Sequence, residues 1–362
     1  MKIIFNYSSL GNGGAERCMT ALANYCVEKG DEAFIIVNDS SDNKHILDPK
    51  VKVISFNNIR FSENAINGII ENIKEIKLLK QQIKRIDPDV VFCFSAKNAL
   101  MCKLASPKTV VIGSERANPV VCRTSKKDKL FVRLSDILNG FVFQTNGAKE
   151  FYPKKIKAKS TVIPNGIAGD IENAAITPYE KRPEYSICAT GRLIKVKRYD
   201  LLIKAMKDVV KKYPSAYLDI YGDGVLSEKI KEDIIKNGLQ ENIFLKGHSA
   251  DIYSELIAHR YFVLCSDNEG MPNGLIDAMA SGCVSISTNC DFGPTDLIKD
   301  NENGFLIPCN DSNALAEKII SAIESADQGS ISQKALLLRE ELSKDKIFDK
   351  FYNYFLSCIV KK

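Results

Sequence analysis

No stretch of the chain reaches 18 uninterrupted apolar residues, the length a helical membrane span needs, so no such span is expected. The opening run Met1-Lys2-Ile3-Ile4-Phe5-Asn6-Tyr7 is apolar only briefly, and no small-residue cleavage site follows it. That argues against a signal peptide and leads us to expect a cytosolic protein. Histidine is scarce, with only His45, His248 and His259 scattered along the chain, so no histidine-built metal site is expected. The eleven cysteines are odd in number and include no Cys-x2-Cys pair, which argues against both a disulfide framework and structural zinc. Cys93, Cys188 and Cys265 lie in strand-like apolar runs, where a free thiol behaves as a small hydrophobe. Basic residues are not interleaved with aromatics and the net charge is only +5, so nucleic acid is not an expected partner.

What the chain does have is length and alternation. At 362 residues and 45% hydrophobic content it exceeds what one core comfortably serves, and two domains are expected. Strand-like runs appear at Lys2–Tyr7, Glu32–Val37, Val51–Phe56, Val90–Ser95, Thr109–Ser114, Gly140–Gln144 and Ser160–Pro164. A second series follows at Tyr185–Thr190, Ala216–Tyr221, Ile243–Lys246, Tyr261–Cys265, Val284–Thr288 and Gly304–Ile307. Helical periodicity fills most intervals, so the pattern predicts two α/β domains built on parallel sheets. Pro164-Asn165-Gly166 closes the first series with turn chemistry. We place the domains at 1–170 and 171–340, with a Phe/Tyr-rich amphipathic helix over Lys346–Val360 inside a final segment 341–362. Residues 1–180 carry 26 Lys and Arg against 19 Asp and Glu, a net of +7, whereas the remainder carries 24 against 26. A basic first half suggests that one domain meets an anionic surface or acceptor.

Three stretches carry the chemistry. In the first, the apolar run Tyr261–Cys265 leads into Ser266-Asp267-Asn268-Glu269-Gly270-Met271-Pro272-Asn273-Gly274, and a small-residue helix follows through Asp277 to Gly282. Two carboxylates, Glu269 and Asp277, stand eight positions apart across a Gly-Met-Pro turn. Carboxylates accept paired hydrogen bonds from vicinal hydroxyls, and amides at a strand-to-helix turn suit phosphate, so the segment reads as a sugar-nucleotide site. Acidic residues around a helix start can also serve as N-terminal caps. The second stretch is Gly191-Arg192-Leu193-Ile194-Lys195-Val196-Lys197-Arg198-Tyr199-Asp200, between a strand and the helix Leu201–Val210. Arg192 and Lys197 could together neutralise a diphosphate, or the loop could simply be solvated. The third is Gly11-Asn12-Gly13-Gly14-Ala15-Glu16-Arg17, after the first strand and opening a helix through Tyr25. The dinucleotide fingerprint would need a third glycine where Arg17 stands, and a Walker A loop is absent. A glycine loop for an anion and a tight turn without ligand remain.

Together these stretches resemble the family-4 retaining glycosyltransferases, and the resemblance runs from Gly13 to Gly304 with the motifs in the family's order. It implies a GT-B fold, two Rossmann-like domains facing an interdomain cleft, with the last helix crossing back to the first domain. It implies that Glu269 contacts the transferred sugar, and that Asp277, where the family has Glu, holds the nucleotide ribose. Gly270, Met271, Pro272 and Asn273 would line the same site. Arg192 and Lys197 match the family's pair that binds the donor diphosphate and stabilises it as it departs. Gly13 and Gly14 match glycines near the donor diphosphate and the acceptor. Gly113-Ser114-Glu115-Arg116-Ala117-Asn118-Pro119 resembles a Ser-Glu-Arg-Asn element of polysaccharide-assembling members. Glu115 and Arg116 there could contact acceptor or sugar, or form a structural pair. Tyr221-Gly222-Asp223-Gly224 and Lys246-Gly247-His248 match strand-end turns near the nucleotide. Asp291-Phe292-Gly293-Pro294 spells a protein-kinase tripeptide, but the His-Arg-Asp loop is missing. It resembles the family's Gly-Pro-x-Glu/Asp-Leu-Ile element, with Asp296 in the acidic place and a packing role.

The resemblance implies a retaining enzyme that moves a hexose or N-acetylhexosamine from a UDP-sugar to a glycan or lipid-linked saccharide acceptor in bacterial surface polysaccharide synthesis. No Asp-x-Asp motif stands beside a strand end in the second half, so no metal or other cofactor is expected, with Arg192 and Lys197 in the ion's place. Two basic stretches could attract anionic lipid, giving peripheral contact with the inner face of the plasma membrane. In Ile66–Ile86, Ile66, Ile69, Ile70, Ile73, Ile76, Leu79, Ile83 and Ile86 recur at helical spacing, with Lys74, Lys77, Lys80, Lys84 and Arg85 between them. Arg123, Lys126, Lys127, Lys129 and Arg133 cluster in the second. A solvated helix face is the alternative for either. The alternative to catalysis is a silent nucleotide-sugar-binding or scaffold subunit, and a dinucleotide oxidoreductase is disfavoured by the broken glycine pattern.

Overall fold

The computed structural model describes residues 1–11, 13–40, 45–56, 65–167, 171–172, 174–249 and 251–361, with the backbone alone described at 65–69 and 127. The chain divides into two compact units, one formed by Met1–Asn165 with Ile347–Lys362 and the other by Gly166–Lys346.

The first unit holds a sheet of seven strands, β1 (Lys2–Ser9), β2 (Glu32–Asp39), β3 (Lys52–Ser55), β4 (Val90–Cys93), β5 (Val110–Glu115), β6 (Gly140–Phe143) and β7 (Ser160–Val162). Their order is β3-β2-β1-β4-β5-β6-β7, and every pairing is parallel. Four residues of β4, Val90-Val91-Phe92-Cys93, are all buried, as expected of a strand covered by helices on both faces. The second unit repeats the scheme with β8 (Ser186–Thr190), β9 (Tyr217–Tyr221), β10 (Ile243–Gly247), β11 (Tyr261–Leu264), β12 (Val284–Thr288) and β13 (Phe305–Ile307). Here the order is β10-β9-β8-β11-β12-β13, again parallel. Each predicted strand run coincides with one of these thirteen, because short β-branched runs between turn residues have few other ways to hide their side chains.

The final helix, Lys344–Val360, carries its aromatic face into the first unit. Phe351 and Phe355 are fully buried and lie 5.6 and 5.2 Å from the Phe92 ring, while Phe355 lies 6.5 Å from Phe5. Tyr354 accepts a hydrogen bond from the Phe141 amide at 2.9 Å and donates to the Lys159 carbonyl at 2.5 Å. The seam is therefore both apolar and directional. Stripping these rings from the helix would remove several of the largest buried side chains of this core.

The helix Ala65–Ile86 is built differently from its sequence reading. Leu79, Ile83 and Ile86 reach the core, but Ile70 and Ile73 are exposed and Glu75 is buried. Glu75 accepts a hydrogen bond from Asn38 at 3.2 Å, and burial raises its pKa. The side chains of Ile66 and Ile69 lie outside the described residues. Among the described residues no helix is long and apolar enough to cross a membrane.

Candidate functional site

In the second unit β8 and β11 are neighbours, while the chain between them builds β9 and β10 on the far side of β8. Strand order reverses at that point, and in open parallel sheets the crevice beyond the carboxyl ends of such strands is where ligands sit. Two loops leave those ends: Gly191–Arg198 after β8 and Cys265–Pro272 after β11.

The loops are tied to each other and to β9. The Cys265 thiol donates to the carbonyls of Lys197 at 3.1 Å and Arg198 at 3.3 Å, and the Asp267 amide donates to Val196 at 2.9 Å. The Gly191 and Leu193 amides each donate at 2.9 Å to the turn after β9, through the carbonyls of Tyr221 and Asp223. Gly222 makes this approach possible: with φ at +141°, a Cβ there would stand 2.1 Å from the Gly191 carbonyl oxygen. The Tyr221–Gly224 turn thus shapes the Gly191–Lys197 loop. Gly247, the last residue of β10, accepts from the Gly222 amide at 2.8 Å, while His248 is exposed.

Within this frame Lys197 Nζ lies 2.5 Å from Glu269 Oε1. The two side chains are only 18% and 12% exposed. Ser266 Oγ donates to the same oxygen at 2.6 Å. Oε1 therefore takes both bonds, and Oε2 accepts none from the described residues. Arg192 is exposed, and its guanidinium makes no hydrogen bond or ion pair among the described residues. Gly270 and Asn273 are half-buried and Met271 and Pro272 buried, leading into the helix Asn273–Ala280, whose start has no side-chain cap. Asp277 lies inside that helix at 3% exposure and so sits deeper than a surface cap would. Gly293 backs directly onto Gly270 and Pro272, and its amide donates to Asp296 at 3.1 Å. The Asp291–Pro294 element supports the turn by packing, in line with its sequence reading.

Sequence reasoning overlooked several residues here. Arg198 adopts a left-handed conformation, φ 50° and ψ 40°, that residues other than glycine seldom take. Its guanidinium bonds Asp200 at 3.0 and 3.1 Å, Asp267 at 2.8 Å, and the Asn310 side chain. The Asp200 hydrogen bond is the main cause of the upward shift of its pKa. Burial pushes Tyr199 upward, and its hydroxyl donates to the Gly191 carbonyl at 3.2 Å. Ser266 and Arg198 carry no signal of their own in a single sequence, since Arg198 is fixed largely by Asp267 and Asn310, 69 and 112 positions away.

In the first unit the structure places the remaining candidates differently. Gly13 caps the helix Gly14–Glu28 without a side chain. The Glu16 carboxylate lies over Gly13 and accepts from Ser9 Oγ at 3.1 Å, so an acid of the loop itself stands at the helix start. Asn12 lies outside the described residues. Glu115 is 2% exposed, and its carboxylate is fully engaged. It accepts from Arg123 at 2.9 and 3.0 Å, from Tyr152 at 2.6 Å, and from the amides of Arg116 and Ala117 at 3.2 and 3.4 Å. The structural pair left open between Glu115 and Arg116 is made with Arg123 instead. Arg116 turns away to Ser114 at 3.3 Å and Asn165 at 3.2 Å, with its guanidinium 5.0 and 5.4 Å from the Phe94 and Phe351 rings. Burial lowers its pKa, though an arginine so placed stays charged at neutral pH. Among the described residues no group of three or more His, Cys, Asp and Glu is placed to hold a metal ion.

Two parallel-sheet α/β units, the second with basic and acidic loops meeting at its switch point, define a GT-B architecture. Residues 173–336 match the family described as "Glycosyl transferases group 1", so the second unit carries a glycosyltransferase domain of that type. A poly(ribitol-phosphate) alpha-N-acetylglucosaminyltransferase of Staphylococcus aureus is 29% identical over 241 residues, covering 64% of this chain. The chain spans about half of that relative, 47% of its length. A Campylobacter jejuni alpha-1,4-N-acetyl-D-galactosaminyltransferase acting on an undecaprenol-diphosphate-linked glycan is 27% identical over 322 residues, 88% of both chains. Among solved structures, Anabaena HepE in complex with UDP and glucose aligns over 99% of this chain and 100% of its own, with a TM-score of 0.80 and 18% identity.

Proposed function

We propose that the chain transfers a hexose or N-acetylhexosamine, with retention, from a UDP-sugar to a glycan acceptor, and that it does so without a metal ion. The observation that carries this reading is the Lys197–Glu269 pair at the carboxyl ends of β8 and β11. One carboxylate oxygen is held by Lys197 and Ser266, which fixes the other in place to accept a sugar hydroxyl. A negative group at the loop beside Lys197 would share its ammonium with Glu269, and Arg192 supplies a second cation from the same loop. Both are aimed at charge that grows on the diphosphate as the glycosidic bond breaks, the kind of preorganised stabilisation that contributes most to such transfers. The uncapped start of the helix Asn273–Ala280 adds oriented amides favourable to phosphate. The relatives' names support a UDP-linked donor and a lipid-linked or polyol-phosphate acceptor: HepE binds UDP and glucose, and the Campylobacter enzyme elongates a lipid-linked glycan.

The experiment is donor turnover, measured as UDP release from a panel of UDP-sugars. Turnover should persist in excess EDTA and fall by roughly two to three orders of magnitude in Arg192→Ala and Lys197→Ala, with folding retained. A strict need for Mg²⁺ or Mn²⁺ would show the charge assignment wrong. Binding of UDP-sugar with no turnover on any acceptor or water would favour a silent binding subunit.

A further inference from the structure

The helix Lys126–Leu134 and the turn Ser135–Ile137 turn a mixed face outward. Lys126, Lys129, Leu130, Arg133 and Leu134 are exposed at a spacing of three and four residues, and Ile137 follows one turn on. That spacing puts all six on one side of the helix. Leu130, Leu134 and Ile137 are 55%, 44% and 48% exposed, and Val120 and Val121 of the adjoining turn Pro119–Cys122 are exposed as well. The inward side is spent on packing: Val132 is buried in the core and Ser135 Oγ donates to the Phe131 carbonyl. Five exposed aliphatic residues within 18 positions are not the surface of a helix meant only for water.

The charges around this face are arranged with one sign. Lys126, Lys129 and Arg133 form no ion pair with the described residues. The neighbouring acids are already engaged: Asp128 with Ser125, and Asp136 with Lys155 and Lys159, each 3.5 Å away. A second copy of this chain would set like charges against each other across such a face, and nucleic acid has no use for the leucines. An anionic bilayer satisfies both sets at once. Lysine and arginine meet headgroup phosphates, while leucine and isoleucine enter the boundary between headgroups and acyl chains. We infer that Val120–Val121 and the Lys126–Ile137 face dock the protein on a negatively charged membrane surface. The other basic stretch, Ala65–Ile86, directs its Leu79, Ile83 and Ile86 into the core and, among its described side chains, exposes only Ile70 and Ile73 beside its lysines, a smaller apolar face than the five residues here.

Co-sedimentation with vesicles tests this without reference to the transfer reaction, so the docking face and the proposed chemistry can fail separately. The full chain should sediment with vesicles of phosphatidylcholine mixed with phosphatidylglycerol, not with phosphatidylcholine alone, and salt should weaken the binding. Lys129→Ala combined with Arg133→Ala should lower the partition coefficient roughly thirtyfold. Leu130→Asp combined with Leu134→Asp should abolish binding while the thermal midpoint stays near wild type, since neither side chain is in the core. Failure of the wild-type chain to bind the mixed vesicles, or undiminished binding by both variants, overturns the inference. Self-association removed by the leucine variant, with no vesicle binding, would assign the face to a second copy and overturn it equally.

Discussion

Lys197 Nζ and Glu269 Oε1 stand 2.5 Å apart across loops that leave two different strands. Each side chain is mostly withdrawn from water, so the pair is not the loosely held, salt-screened kind found on surfaces. Its consequence is that Lys197 is divided between a carboxylate of the protein and any anion brought to the loop.

Removing the carboxylate should therefore separate the donor's two halves. Glu269→Ala releases Lys197 for the diphosphate, so UDP should bind as well as in wild type or more tightly. The UDP-sugar should lose the hydrogen bond to Oε2, worth roughly 1.5–3 kcal/mol for a charged acceptor, or about ten- to over a hundredfold in affinity. Asp277→Ala should weaken UDP and UDP-sugar by similar factors. Calorimetric titration of both ligands into both variants is the measurement, and equal losses for the two ligands in Glu269→Ala would overturn the division of labour.

A second prediction concerns Gly222, which shapes the cation-bearing loop through its backbone. Gly222→Ala places a Cβ against the Gly191 carbonyl and should displace the loop that carries Arg192 and Lys197. Turnover should fall at least about tenfold through misplaced cations, since small displacements of catalytic groups are costly. Gly238→Ala is the control: it also has a positive φ, +67°, but nothing lies within 4 Å of the added carbon. It should lose a little stability and keep its turnover. Steady-state kinetics alongside thermal midpoints would distinguish the two.

The third prediction follows from His259, buried beneath the second sheet. Its Nδ1 lies 2.6 Å from the Glu255 carbonyl and its Nε2 3.3 Å from Asp219 Oδ2. Both neighbours can only accept, so the ring satisfies both by carrying two protons. Burial works against that charge, but the bonds to Asp219 and the Glu255 carbonyl outweigh it and raise the pKa above the ordinary 6.5. A raised pKa means the stabilisation is fully present below the unfolded value and is lost as pH rises through the folded one. The thermal midpoint of wild type relative to His259→Gln should therefore be higher near pH 6, and the advantage should shrink as pH rises past the ordinary histidine value into the alkaline range. A difference constant with pH would show the folded pKa unshifted, and one that falls toward acid pH would show the ring held neutral in the fold.

The strands were legible from the sequence because an apolar run of four to eight residues between turn residues has essentially one use in an alternating α/β chain. The glycosyltransferase motifs were legible for a related reason. Glycine beside cations, and carboxylates around a Gly-Met-Pro turn, are local combinations, and a local combination survives being written in one dimension. The pairing of Glu115 with Arg123 rather than Arg116 was not legible. Which of two nearby arginines reaches a carboxylate depends on the direction each side chain takes from the backbone, and only the packing of Arg116 among Phe92, Phe94 and Phe351 turned it aside. The same holds for Arg198, fixed by Asp200, Asp267 and Asn310, and for Glu75, drawn inward by Asn38. Periodicity could say that Ile66–Ile86 is a helix, yet not that Ile70 and Ile73 would face outward. The local chain decides which element forms, because backbone hydrogen bonding and side-chain pattern are short-ranged. Which charged group meets which depends on elements far apart in sequence packing together, and that was settled only in three dimensions.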